Sequence, residues 1–168
     1  MDLVDRKKLE EMGLRRLGQF TLKCGVETYV KWDVDYMRRF PFWNRVRAME
    51  GLIWFIGLLK PSLILGIRTG GYQIAEDIGK ALDVRVLDEG YGCWETPGGG
   101  SHGHCVAVYG CPKTVIVDDV LTTGETVREV LERNEKTVAI AVLVNRSSRV
   151  NIDGVPILSG IVADRIRL

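Results

Sequence analysis

Two adjacent aspartates followed by a threonine-rich turn, Asp118-Asp119-Val120-Leu121-Thr122-Thr123-Gly124-Glu125-Thr126, have the types and spacing best suited to chemistry in this chain. Ionised carboxylates only accept hydrogen bonds, so an acidic pair suits the hydroxyls of a sugar, or a magnesium ion held through waters. Thr122, Thr123 and Thr126 supply hydroxyls, and Gly124 a permissive backbone, at the start of a helix, where free N–H groups and the helix dipole favour a phosphate. A ribose phosphate satisfies both halves. The plainer reading is a strand, a tight turn and an ordinary capped helix, since Asp and Thr favour caps in any protein. It leaves two adjacent acids and three threonines without a reason to occur together.

A second anion-binding junction is Arg68-Thr69-Gly70-Gly71, where two glycines between a strand and a helix let backbone N–H groups close on a ligand. A simple tight turn is the alternative. The stretch 88–103 holds Gly90, Gly92, Gly98, Gly99, Gly100 and Gly103 and reads as a long surface loop, a kind that is usually functional or disordered. No Lys or Arg occurs between Arg85 and Lys113. Cys93, His102, His104, Cys105 and Cys111 lack the close paired spacing of structural zinc ligands.

The elements that must position these residues follow from periodicity. Short apolar runs at 63–67, 84–87, 104–109, 114–117 and 137–144 read as strands, with both acids of the pair on the loop beyond the fourth. Helices are expected over 72–82 and 124–133, and a longer helical stretch over 36–59 is interrupted near Pro41. A polar helix over 2–12 turns Leu3, Leu9 and Met12 inward, and β-formers on both sides of Gly25 suggest a hairpin. Residues 155–162 read as an edge strand with a proline at its start. Alternating strands and helices predict an α/β fold, a mainly parallel central sheet with helices on both faces and a small N-terminal hood segment over 1–35, in a single domain. Ligands of such sheets sit at the carboxyl ends of the strands, where the loops at Arg68, Asp118 and Arg146 all fall.

Composition narrows the partners. With 23 basic and 22 acidic residues the net charge is +1, which gives no argument for nucleic acid or an anionic membrane and favours a small molecule. Four cysteines without a C-x-x-C pair, and a charged rather than apolar start, suggest a reducing cytoplasm. The apolar run 51–59 is too short to span a bilayer and suits a buried helix or, with its aromatic residues, a subunit interface.

The stretch from Val115 to Val127 closely resembles the phosphoribosyl-diphosphate signature of type I phosphoribosyltransferases, and Arg68 to Gly71 resembles that family's pyrophosphate loop. The N-terminal pattern Gly18-Gln19-Phe20-Thr21-Leu22-Lys23-Cys24-Gly25, with an aromatic strand ending at Asp33, is similar to that of orotate phosphoribosyltransferases. That resemblance implies conversion of orotate and phosphoribosyl diphosphate to orotidine monophosphate and diphosphate, with Mg2+ as cofactor and a homodimer as assembly. It implies that Asp118 and Asp119 bind the ribose hydroxyls and that Thr122, Thr123, Gly124, Glu125 and Thr126 hold the 5-phosphate, with Val120 and Leu121 also lining the substrate. Arg68, Thr69, Gly70 and Gly71 would hold the diphosphate, and Lys23 and Arg146 the base. His102-Gly103 matches a lid that closes over the neighbouring subunit's site. The chain departs from the pattern in three places. Asp88-Glu89 stand where the family carries Arg-Lys, Asn145 replaces an acid before Arg146, and Cys24 replaces a common serine. Two alternatives stay open: a transferase for another base, and a non-catalytic nucleotide sensor or regulator that has lost the lid cations.

Overall fold

The computed structural model describes residues 2–21, 25, 27–68, 70–89 and 113–163. At the N-terminus, Asp5 caps helix α1 (Arg6–Glu11) by accepting from the Lys8 N–H, and Leu9 and Met12 turn into the core as their spacing required. Strands β1 (Arg15–Thr21) and β2 (Glu27–Trp32) form the expected antiparallel hairpin, a two-stranded sheet of its own.

The helical stretch expected over 36–59 is three pieces rather than one interrupted helix. A 3-10 helix spans Val34–Arg39, α2 spans Phe42–Ala48 and α3 spans Glu50–Leu59. Pro41 precedes α2 as its cap, where a missing N–H costs nothing. A second break comes at Met49, whose φ of −106° and ψ of 12° leave the helical basin. One face of α3 buries Leu52, Ile53 and Ile56, while Trp54, Phe55 and Leu58 stay 58, 39 and 57% exposed.

The central sheet contains β3 (Leu63–Gly66), β4 (Val86–Asp88), β5 (Thr114–Leu121), β6 (Thr137–Asn145), β7 (Asn151–Ile152) and β8 (Val155–Val162), in the order β4-β3-β5-β6-β8-β7. Every pairing is parallel except the short β7–β8 turn-back. Alternation along these strands splits the apolar residues between two cores. Ile64, Val115, Val117, Ala139 and Ala141 face α3 and helix α4 (Gly70–Leu82), whereas Leu65, Ile116, Ile140 and Val142 face helix α5 (Glu125–Leu131). The fold is thus α/β with a mainly parallel sheet covered on both faces, as parallel strands require.

Several boundaries differ from the sequence reading, among them the start of α4, at Gly70 rather than residue 72. Asp88 ends β4, in register with Gly66, and so belongs to the sheet rather than to the glycine-rich loop. Asp118 and Asp119 are the fifth and sixth residues of β5, not loop residues, because the ladder with β6 continues to Leu121. β8 is not a bare edge: β7 covers its start, with Asn151 opposite Pro156. Helix α5 has seven residues, three fewer than expected. The strand expected over 104–109, most of the loop 88–103 and the cysteines at 93, 105 and 111 lie outside the described residues. Among those that are described, no helix is long and apolar enough to cross a membrane.

Candidate functional site

The junction between β3 and α4 is pressed onto the acidic pair. A Cβ on Gly70 would collide with the Asp119 carboxylate, and one on Gly71 would lie 2.6 Å from the Val117 carbonyl oxygen and 2.8 Å from the Asp118 Cα. Only glycine allows this approach, which explains the pair of them at the first turn of α4. The junction is pinned by Ile67 N–H donating to the Val117 carbonyl (2.8 Å) and by Tyr72 N–H donating to the Ile67 carbonyl (2.8 Å).

The two acids sit differently. Asp118 is buried and its Oδ1 accepts from the Asp119 N–H at 2.8 Å; Asp119 is half-buried and its Oδ1 accepts from the Val120 N–H at 2.8 Å. Burial, then the neighbouring Asp119 charge, hold the Asp118 carboxyl well above the ordinary aspartate range. Glu89, just past β4, is also raised, first by burial, although the Arg68 backbone N–H donates to it. Its Oε2 is buried with no hydrogen-bond partner among the described residues.

Protonation of Asp118 couples to stability with a definite sign. Its folded value lies above the ordinary value of 3.8, so its stabilising contribution is complete below that value and is lost as pH rises through the raised folded value. Asp118→Asn cannot titrate. Its stability advantage over the wild type should therefore grow as pH rises across that window, in urea unfolding curves at successive pH values. A difference that stays flat with pH would show that Asp118 is not strained.

Beyond the acids, Leu121 buries its side chain in the second core, and its carbonyl accepts from the Arg146 N–H at 2.9 Å. Val120 is half-buried against the first core, so the side chains of both residues are committed to packing and only their backbone is left for binding. Thr122 and Thr123 are half-buried, Glu125 and Thr126 are exposed, and Thr123 Oγ1 accepts from the Glu125 N–H at 3.4 Å. Gly124 takes φ +82°, a left-handed turn, and a Cβ there would meet Ile152 at 2.9 Å. With so short a helix behind it, this loop offers N–H groups and hydroxyls more than a helix dipole.

Arg68 is exposed but not idle. Its Nε and Nη2 donate to Asp88 Oδ2 at 3.2 and 2.8 Å. Arg146 is buried at the end of β6, where Nη1 donates to the Val30 carbonyl (3.0 Å) and Nη2 to Thr28 Oγ1 (2.9 Å). Its guanidinium thus ties the N-terminal hairpin to the site. Asn145 beside it spends its amide on the Arg149 carbonyl and Ser159, and its Oδ1 on Ser147. The structure brings Asp118, Asp119, Gly70, Gly71 and the Thr122–Thr126 loop together. Lys23, Thr69 and His102 lie outside the described residues.

The pair Thr28 and Arg146 was not legible as a pair, because partners 118 residues apart leave no spacing signal. A magnesium ion at the acid pair would have to be shared with oxygens of a bound substrate or water. Asp118 and Asp119 could offer carboxylate oxygens, but no group of three or more His, Cys, Asp or Glu among the described residues could hold it alone.

Comparison with known proteins gives the same outline. Residues 44–154 match the family model described as the phosphoribosyl transferase domain. The chain is 32% identical over 151 residues to the orotate phosphoribosyltransferase of Heliobacterium modesticaldum, covering 86% of this chain and 76% of that one. It is also 32% identical over 106 residues to the transcriptional regulator GfcR of Archaeoglobus fulgidus, 58% of this chain, and spans 54% of that regulator's length. The crystal structure of orotate phosphoribosyltransferase from Aeropyrum pernix superposes with a TM-score of 0.69 at 23% identity, covering 92% of this chain and 90% of that one, which bears on the fold alone.

Proposed function

The chain belongs to the phosphoribosyltransferase family, and from that premise we propose that it transfers a phosphoribosyl group from phosphoribosyl diphosphate to orotate. The observation that carries this reading is the contact of Gly70 and Gly71 with the acidic pair, which sets two anion-binding loops on either side of two carboxylates. A ribose whose hydroxyls meet Asp118 and Asp119 would place its 5-phosphate in the Thr122–Thr126 loop and its C1 substituent toward Arg68 to Gly71. As the bond from C1 to diphosphate breaks, positive charge develops on the ribose, and fixed carboxylates stabilise it without reorganising. Magnesium, held by ligand oxygens and the acid pair, would offset charge on the departing diphosphate.

On the base side, Lys23 belongs to the same proposal, and Arg146 acts by positioning: its hydrogen bonds to Thr28 and Val30 hold the hairpin that would wall the base. Arg146→Ala is therefore expected to raise the KM for orotate by about tenfold while changing that for phosphoribosyl diphosphate by less than about twofold. Equal weakening of both would mark Arg146 as purely structural. A second copy of the chain is the proposed assembly partner, covering Trp54, Phe55 and Leu58 of α3.

A specific observation favours a second reading, a non-catalytic sensor of phosphoribosyl ligands. Arg68 is already paired with Asp88, and GfcR regulators are among the relatives. One set of measurements separates the two. Orotate, uracil and purines are assayed spectrophotometrically with phosphoribosyl diphosphate and magnesium, beside calorimetric titration of the diphosphate alone. Turnover of orotate supports the transferase, turnover of another base alone moves the specificity, and binding without turnover of any base replaces the transferase by the sensor.

A further inference from the structure

The Arg68 side of the site already contains an anion. Asp88 Oδ2 accepts both Arg68 Nε and Nη2, and the Asp88 side chain is only 15% exposed, so the pair is partly shielded from solvent on the acid's side. Asp88 is held there by the sheet, in register with Gly66 two residues before Arg68. Glu89 adds a second carboxylate that accepts from the Arg68 backbone N–H, a donor that an incoming phosphate oxygen would otherwise use. Glu89 in turn feels the charges of Arg68, Asp88 and Glu129, and Asp118 those of Asp119 and Glu89. On the other side of the acid pair, the acid within the Thr122–Thr126 loop, Glu125, has an exposed side chain and pairs with no cation of the loop, and Thr123 Oγ1 accepts from the Glu125 N–H.

Resting on the reading of the site given above, we propose that Asp88 is a specificity-determining latch on Arg68. It raises the preference of the site for ribose 5-phosphate esters with one phosphate, such as nucleoside 5′-monophosphates, relative to those carrying a second anionic group at C1, and so weakens, without abolishing, binding of the phosphoribosyl diphosphate that the proposed transfer consumes. A single phosphate enters the threonine loop without disturbing the Arg68–Asp88 pair. A diphosphate at C1 must take Arg68 from Asp88 and lie against two carboxylates, and like charges at close range in a partly desolvated site oppose it. The latch acts on affinity through Arg68. Asp88 itself touches no ligand in this scheme.

The test is calorimetric titration of the intact chain, with magnesium, using ribose 5-phosphate, phosphoribosyl diphosphate and inorganic diphosphate as probes. Asp88→Asn keeps the shape of the side chain and removes its charge. It should tighten phosphoribosyl diphosphate and inorganic diphosphate by about tenfold or more while changing ribose 5-phosphate by less than about twofold. Asp88→Ser, smaller and also neutral, should do the same and serves if the amide variant does not fold. Equal tightening of all probes, or none in either variant, overturns the latch and leaves the site reading standing, provided the wild type binds ribose 5-phosphate. If the wild type binds none of the probes, the site reading fails and the latch with it.

Discussion

Replacing Asp77 by alanine is expected to lower the unfolding free energy by about 3–5 kcal/mol, a large share of the stability of a domain this size. Asp77 lies on α4, only 3% exposed, and accepts from Arg45 of α2 in a forked pair: Nε to Oδ2 and Nη2 to Oδ1, both 2.6 Å. The third guanidinium nitrogen donates to the Phe40 carbonyl at 2.5 Å. Coulomb attraction is not the main reason for the effect. Truncating the acid leaves a mostly buried guanidinium without its counter-charge, and that desolvation cost falls on the folded state alone. A loss of this size corresponds to a melting temperature lower by roughly 6–20 °C for a chain of this length. The double replacement Arg45→Met with Asp77→Leu should recover most of the loss, since apolar residues of similar volume replace buried ion pairs at little cost. The neighbouring contact of Lys80 over the Phe42 ring, at 4.3 Å, is unaffected by either change and keeps α2 beside α4. If Asp77→Ala melts within about 2 °C of the wild type, the pair is an exposed contact in solution and contributes little.

Asp77 also shows where sequence reading stops. The strands and the acidic pair are legible because their signals are local: β-branched runs make buried parallel strands, and two acids before a Thr-Thr-Gly turn stand out at fixed spacing. Asp77 follows Ile74 and Ala75 and precedes Ile78 on the buried side of α4, and the sequence analysis did not single it out. Its partner, Arg45, was not legible either, because the two lie 32 residues apart. The same holds for Arg146 with Thr28 and for Arg68 with Asp88. Arg68 and Arg146, both expected at loops, and Arg45 within α2 each have the guanidinium committed by a long-range neighbour. β7 was invisible for a different reason: two residues carry no period, and the pairing with β8 alone makes them a strand. The placement of Asp118 and Asp119 on a loop failed because a polar pair ends an apolar run in sequence without ending the hydrogen-bond ladder in space.

That placement changes what the acidic pair is expected to do when neutralised. Asp118→Asn with Asp119→Asn should weaken both ribose 5-phosphate and phosphoribosyl diphosphate by about a hundredfold or more, roughly 2.7 kcal/mol, since each lost hydrogen bond to a charged acceptor is worth about 1.5–3 kcal/mol. The fold should survive. Each asparagine keeps an Oδ1 that can accept from the N–H of the following residue, as Asp118 and Asp119 do now. Stability should in fact rise at neutral pH, because burial and the Asp119 charge strain the ionised Asp118, and an amide is not strained. Affinity and stability thus move in opposite directions, which a purely structural pair would not produce. The single Asp119→Asn should carry most of the affinity loss, since Asp119 is the more exposed of the two and lies against Gly70, while Asp118→Asn should carry most of the stabilisation. Calorimetric titration beside thermal melts of the three variants reads both quantities. Unchanged affinity in the double variant would remove the ribose from the acidic pair, and with it the proposed transfer at this site.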